Sequence, residues 1–353
     1  MDLTIASAVF LTSSVAVIFL GTRLAVYGDA LASLTGWGRL FVGSILLALA
    51  TSLPEVSNNI SAVRLDPPNP ALAIGDALGS NMFNMLILSL VALYFGGKRF
   101  LQRVAPEQGY LIVLAAIMTG AAVLFGAAKL DVSLWQVGLT SVILVAVYVV
   151  GMRVVYVTRP PAGTDPEDGY SPEMTLGRAW AMFGLVSLGV ITSGFFLAWS
   201  SDQVAHITGI ASSTLGILAV SLVTSMPEVS TTIAAARLGA MDLGVAGLFG
   251  SCVFNVTILS FADIFYREGI LINQAEPAHL VAGLVALALM FLALVLVLRR
   301  NRLRQTVAAT GLALMALIWI AGAVVVGALG GDEKTGKDEA VSLQRYLPER
   351  PGQ

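Results

Sequence analysis

Residues 50–60 read ATSLPEVSNNI. The segment lies inside a long apolar run, yet it carries hydroxyls, a proline and a glutamate. An acidic residue at the centre of a bilayer helix costs roughly 2.5–3.5 kcal/mol on insertion scales, so its presence there needs a physical reason. Residues 223–233 read VTSMPEVSTTI and pose the same question again. Both copies belong to a longer repeat. LATSLPEVSNNISAVRL (49–65) aligns without a gap to LVTSMPEVSTTIAAARL (222–238). GSNMFNMLILSLVALYF (79–95) aligns to GSCVFNVTILSFADIFY (250–266), and only the connecting stretch containing DPPNP differs, by two residues. Polar positions recur as faithfully as apolar ones, which marks a duplicated unit with a functional centre.

The chain around this repeat is built for a lipid bilayer. Of its 353 residues 57% are hydrophobic and 12% charged, about half the charged fraction of a soluble domain. A spanning helix needs about 20 mostly apolar residues. By that measure there are about ten spans, near 4–26, 38–65, 70–96, 108–127, 133–157, 178–200, 212–238, 242–266, 275–298 and 306–329. Strand-like alternation is absent, which argues against a β-barrel. The expected fold is therefore all-α and integral to the membrane, with about ten transmembrane helices in two five-helix repeats. An odd number of spans per repeat inverts the second relative to the first, the arrangement of many secondary transporters, with broken helices meeting at the midplane. The repeats would cover 1–157 and 178–329, joined by a Pro-, Gly- and acid-rich linker at 158–177 and followed by a polar tail at 330–353.

Basic residues orient this layout. Lys98, Arg99, Arg103, Arg299, Arg300, Arg302 and Arg304 fall in loops after odd-numbered spans, against Arg64, Lys129 and Arg267 on the other side. The positive-inside rule places the first group, with the linker, in the cytoplasm of a cell membrane protein, and both termini outside. The first span lacks a basic leader region and a clear cleavage site, and reads as retained. The net charge of −2 comes without a basic block, so no nucleic-acid partner is expected. One cysteine, Cys252, and two histidines, His206 and His279, are too few for a cysteine-rich or typical zinc centre. No catalytic constellation is visible, so no enzyme and no cofactor are expected, and nothing specifies an oligomer.

The repeated motif has its own chemistry. Proline cannot donate a backbone hydrogen bond, so Pro54 and Pro227 deprive the carbonyls of Ala50 and Val223 of their helical donors. Thr51 and Glu55 lie four apart on one helix face, as do Thr224 and Glu228, with Ser52 and Ser225 beside each break. A simpler reading is a capping box, Ser52 to Glu55, that restarts the helix after a kink. It does not account for a carboxylate at membrane depth twice. On the partner spans Ser80 and Asn84, and Ser251 and Asn255, again share a face. Gly75 and Gly79, with Ala246 and Gly250 as counterpart, let the helices approach closely. Every one of these groups is an oxygen donor, which suits Ca2+ and Na+ and disfavours copper or zinc. Asp76 is assigned to an ion vestibule or a charged membrane end, Asp263 to a span near the core motifs, and Asp202 and His206 to span ends.

TSLPE with GSNMFN, and TSMPE with GSCVFN, resemble the two α-repeats of the calcium/cation antiporter superfamily, in particular its prokaryotic sodium/calcium exchanger-like branch. The resemblance extends over about residues 1–329. It implies a carrier that exchanges Ca2+ for Na+ by alternating access, with H+ or K+ as alternative driving ions and a cation channel as the remoter alternative. It also implies a metal site made by Thr51, Ser52, Glu55, Ser80, Asn84, Thr224, Ser225, Glu228, Ser251 and Asn255, with the backbone carbonyls of Ala48 and Ser221 nearby. Asn at both 84 and 255 departs from relatives that have Asp at the latter, leaving two formal charges. Cys252 replaces the Asn of G-S-N.

Overall fold

The computed structural model describes residues 2–35, 48–158, 174–237 and 241–346. The first half comprises α1 (Leu3–Thr35), α2 (Ala48–Thr51), α3 (Leu53–Ala62), α4 (Pro70–Tyr94), the short α5 (Lys98–Gln102) and α6 (Gln108–Ala128). A two-stranded ribbon, β1 (Ser133–Leu134) with β2 (Val137–Gly138), then leads into α7 (Leu139–Val157). The second half comprises α8 (Leu176–Thr208), α9 (Ser212–Leu215), a π-helical segment (Gly216–Val220), α10 (Ser221–Thr224) and α11 (Met226–Arg237). It continues through α12 (Met241–Phe265), a 3-10 turn (Leu271–Gln274), α13 (Pro277–Arg299) and α14 (Gln305–Tyr346).

Helix lengths repeat as the sequence does: α1 and α8 have 33 residues each, α4 and α12 have 25 each. Among the described residues nine helices are long and apolar enough to cross a membrane. The expected span 38–65 begins outside the described residues, and from Ala48 it is two helices, α2 and α3. The span placed at 133–157 becomes helical only at Leu139, because its first residues form the ribbon. The helices α1 and α8 run past their expected ends near 26 and 200. At 1.5 Å per residue each is about 50 Å long, well beyond a hydrocarbon core of about 30 Å. Residues 159–173 of the expected linker lie outside the description. The tail does not leave helix at Gly330, since α14 runs to Tyr346; residues 331–346 hold no proline, and Ala, Glu, Lys, Leu, Gln and Arg in that stretch favour helix.

The halves exchange elements instead of standing side by side. Helix α4 packs on the π segment and α10, while α12 packs on α2 and α3. Likewise α8 packs on α3, and α1 on α11. Almost all of α4 and α12 is buried, whereas α1, α7, α8 and α14 turn much of their apolar surface outward, as with Leu11, Val15, Leu185, Leu188, Leu317 and Val324. Lipid-facing helices need not be amphipathic, because the surrounding chains are as apolar as the core.

Three polar anchors fix the ends. Asn69 caps α4 by accepting from Leu72 N (3.0 Å) and donates to Asp202 Oδ1 (2.7 Å) and Ser212 Oγ (3.0 Å). His279 Nδ1 accepts from Glu276 N (2.8 Å), which leaves Nε2 to donate to Ala71 O (2.9 Å) and ties α13 to α4. Asp263 is fully buried and accepts from Gly138 N and Ser141 Oγ (2.8 Å each) and Leu271 N (2.6 Å). It staples the end of α12 to the start of α7 and the 3-10 turn. An orphaned buried donor costs roughly 1–3 kcal/mol. Asp263→Ala is therefore expected to lower the midpoint of thermal unfolding in detergent clearly, and Asp263→Asn, which keeps an acceptor oxygen, to lower it less.

Candidate cation-binding site

Each opening motif breaks its helix at the serine. Ser52 has φ −90° and ψ 8°, and Ser225 has φ −85° and ψ 8°, so the two breaks share one backbone geometry. The capping box expected from Ser52 and Glu55 does not form: Ser52 precedes α3 but makes no side-chain cap. Its hydroxyl is used elsewhere. Nor does Pro227 leave the Val223 carbonyl bare, because a backbone N–H of the break reaches it. The carbonyls implied by the resemblance are engaged as well. Ala48 O accepts from Ser52 N (3.0 Å) and Thr51 Oγ1 (3.3 Å), and Ser221 O accepts from Ser225 N (3.0 Å) and Thr224 Oγ1 (3.3 Å). Side chains, more than freed carbonyls, make this centre.

Those side chains cross between the halves. Ser52 Oγ donates to Glu228 Oε1 (3.4 Å), and Ser225 Oγ donates to Glu55 Oε1 (3.2 Å). Ser251 Oγ also donates to Glu228 Oε1 (3.1 Å), and the Thr51 and Ser251 hydroxyls meet at 3.4 Å. Each glutamate is thus held by the other copy of the motif, as a pseudo-two-fold centre requires. Both glutamates, and all eight other candidate ligands, are buried. Glu55 Oε2 and Glu228 Oε2 have no hydrogen-bond partner. Burying two unpaired carboxylates at membrane depth is costly, and a cation bound to those free oxygens relieves the cost.

The two asparagines are oriented by their amide nitrogens. Asn255 Nδ2 donates to Asn81 Oδ1 (3.2 Å), and Asn84 Nδ2 points to Cys252 Sγ (3.7 Å). Asn81 itself donates to Thr119 Oγ1 (3.0 Å) and Cys252 O (3.1 Å). Each amide nitrogen spends one of its two N–H donors in this way, and Asn84 and Asn255 each keep an unpartnered Oδ1. A carboxamide anchored through its nitrogen with its oxygen unpartnered offers a neutral carbonyl oxygen, the kind that suits a hard cation. Cys252 is the counterpart of Asn81, so its sulfur takes the place of a carboxamide on the twin helix. Close packing brings these helices in. A Cβ on Gly79 would lie 2.5 Å from Ile217 O, and one on Gly75 would lie 2.8 Å from Ser213 O.

One residue was misplaced by reading the sequence alone. Asp76 is neither at a membrane end nor in an outer vestibule; it is fully buried. It accepts from Asn58 Nδ2 (2.8 Å), Asn59 Nδ2 (2.7 Å) and Thr224 Oγ1 (2.9 Å), and it lies within electrostatic reach of Glu55. Ser80, whose counterpart Ser251 serves Glu228, sits beside Asp76. The available signal was local: Asn58 and Asn59 stand where the second copy has Thr231 and Thr232, the one place where the repeats differ by a pair of carboxamides.

Comparison with known proteins agrees with this fold. A family model described as sodium/calcium exchanger protein matches residues 5–157 and 178–327, leaving out the linker and the tail. Inner membrane protein YrbG of Escherichia coli is 27% identical over 264 residues, 72% of this chain and 78% of that protein. Two solved structures share the fold. The sodium-calcium exchanger NCX_Mj superposes with a TM-score of 0.59 at 17% identity, covering 91% of this chain and 98% of that one. The H+/Ca2+ exchanger CAX superposes with a TM-score of 0.68 at 14% identity, covering 96% of this chain and 90% of that one. Two interlocked repeats, each bringing a buried glutamate to a shared oxygen-lined centre, accord with the match along most of the chain: this is a multi-pass membrane protein of the sodium/calcium exchanger family.

Proposed function

We propose that the chain exchanges Ca2+ for Na+ across a cell membrane by alternating access, with Glu55 and Glu228 as the shared charged ligands. The observation that carries this reading is the crossed pair of Ser–Glu hydrogen bonds, which holds both carboxylates while leaving one oxygen of each free. Asn84 and Asn255 add two neutral oxygens, and Thr51, Ser52, Ser80, Thr224, Ser225 and Ser251 line the same centre. One Ca2+ neutralises both glutamates; so do two Na+. Competition for one pair of carboxylates makes transport an exchange, because the empty pair is too costly to carry through hydrocarbon. The bias of basic residues supports a cytoplasmic 158–177 segment and external termini.

Transport into sealed vesicles containing the purified protein tests the reading. Uptake of radiolabelled Ca2+ is expected to require an outward Na+ gradient and to collapse when Na+ is equal on both sides. Uptake driven only by a proton gradient would replace Na+ by H+ as the coupled ion. Uptake indifferent to every counter-ion gradient would mean a channel.

A further inference from the structure

An asparagine side chain has a donor end and an acceptor end of nearly the same shape, and its partners decide which end faces a site. For Asn81, fully buried on α4, the partners leave no choice. The Cys252 carbonyl can only accept, and it takes one N–H of Asn81 Nδ2 at 3.1 Å; Thr119 Oγ1 on α6 takes the other at 3.0 Å. Asn81 Oδ1 is therefore turned toward Asn255, where only a donor can meet it. Asn255 supplies Nδ2 at 3.2 Å, which leaves its own Oδ1 buried and unpartnered. The twin position is built differently. Cys252 stands where the first half has Asn81, and its sulfur lies 3.7 Å from Asn84 Nδ2. A thiol is a weak donor and a weak acceptor at once, so it suits either end of the Asn84 amide.

We propose that Asn81 is a positioning residue. Anchored to α6 through Thr119 and to α12 through the Cys252 carbonyl, it locks the Asn255 amide so that the oxygen stays available to the cation, while Asn84 is left free to turn. The centre then has one fixed and one adjustable neutral oxygen. Asn255 enters as a ligand through the exchange function proposed above, and the role of Asn81 rests on that reading. Groups that orient a metal ligand without touching the ion are worth about 10- to 100-fold in affinity.

Equilibrium binding of radiolabelled Ca2+ to the purified protein tests the role. Asn81→Leu, close in volume but unable to hydrogen-bond, is expected to weaken binding about 10- to 100-fold, and Cys252→Ala less than about threefold. The decisive comparison repeats Asn81→Leu in an Asn255→Asp background. A carboxylate shows an oxygen in either orientation and needs no locking, so the loss there should shrink to less than about threefold. The same loss in both backgrounds, no loss in the wild-type background, or an equal loss in Cys252→Ala would make Asn81 a packing residue and overturn the proposal. Asn81→Ser, which fits the same space, takes the place of Asn81→Leu if that variant yields no folded protein. Should the wild-type chain bind no Ca2+, the exchange function itself fails, and the same comparison read with radiolabelled Na+ decides the role of Asn81 by the same outcomes. Binding of neither ion overturns both.

Discussion

Glu55→Gln and Glu228→Gln are each expected to reduce gradient-driven Ca2+ uptake at least about 100-fold while leaving a folded, inserted protein. The size of the effect follows from the position of the carboxylates. A group that only orients a metal ligand is worth about 10- to 100-fold in affinity, and these two are assigned as the charged ligands themselves. Glutamine keeps the volume and an acceptor oxygen, so the hydrogen bonds from Ser225 to residue 55, and from Ser52 and Ser251 to residue 228, survive. Removing a buried unpaired charge does not weaken the fold either. The two variants should therefore melt no lower than wild type without cations, yet lack the rise in melting temperature with Ca2+ that is expected of the wild-type chain. Uptake retained in both variants would remove the glutamates from the centre, whatever the fold.

Gly79→Ala is expected to be the most damaging single-methyl change among the described glycines. The added Cβ would stand 2.5 Å from the carbonyl oxygen and 2.6 Å from the Cα of Ile217. Both are backbone atoms of the π-helical segment, so no side-chain rotation makes room. Overpacking of this kind costs about 1–3 kcal/mol. Here it also pushes α4, which carries Asp76, Ser80 and Asn84, away from the helix that leads to Thr224, Ser225 and Glu228. Exchange should fall at least about tenfold, and the melting midpoint in detergent should drop. Gly184→Ala is the matched control: nothing lies within 4 Å of a Cβ there, and an exposed helical position gains slightly from alanine. If the two variants behave alike, close approach of α4 to the second half is not what assembles the site.

Much of this architecture was legible in the residues, because its signals are local or periodic. Bilayer spans announce themselves through apolar length, and a gapless repeat with an odd number of spans per copy implies an inverted pair. The helix break was visible from T-S-x-P-E, since proline removes a donor wherever it stands. The residues proposed as ligands in the two motifs could be picked out for the same reason: like positions in the two copies are brought together, Ser52 to Glu228 and Ser225 to Glu55. Where the fold departed from expectation, local rules met tertiary competition. Ser52 fits a capping box, yet the glutamate of the opposite half takes its hydroxyl. Residues 133–138 are apolar enough for a span, yet pair as a ribbon whose end is fixed by Asp263 from another helix.

Asp76 and Asp263 mark the division most plainly. Both are single acids on apolar helices without an acidic twin, at Gly247 and Ala92 respectively, and the sequence treats them alike. One binds two backbone amides and a serine hydroxyl at a helix end; the other sits among carboxamides and threonine beside the glutamates. The sequence by itself determined that the chain spans the bilayer in two related halves, each with a buried carboxylate, because hydropathy and repetition are properties of order along the chain. Only the tertiary structure decided which donors face which acid, because a hydrogen bond between residues more than 100 positions apart depends on how the helices cross.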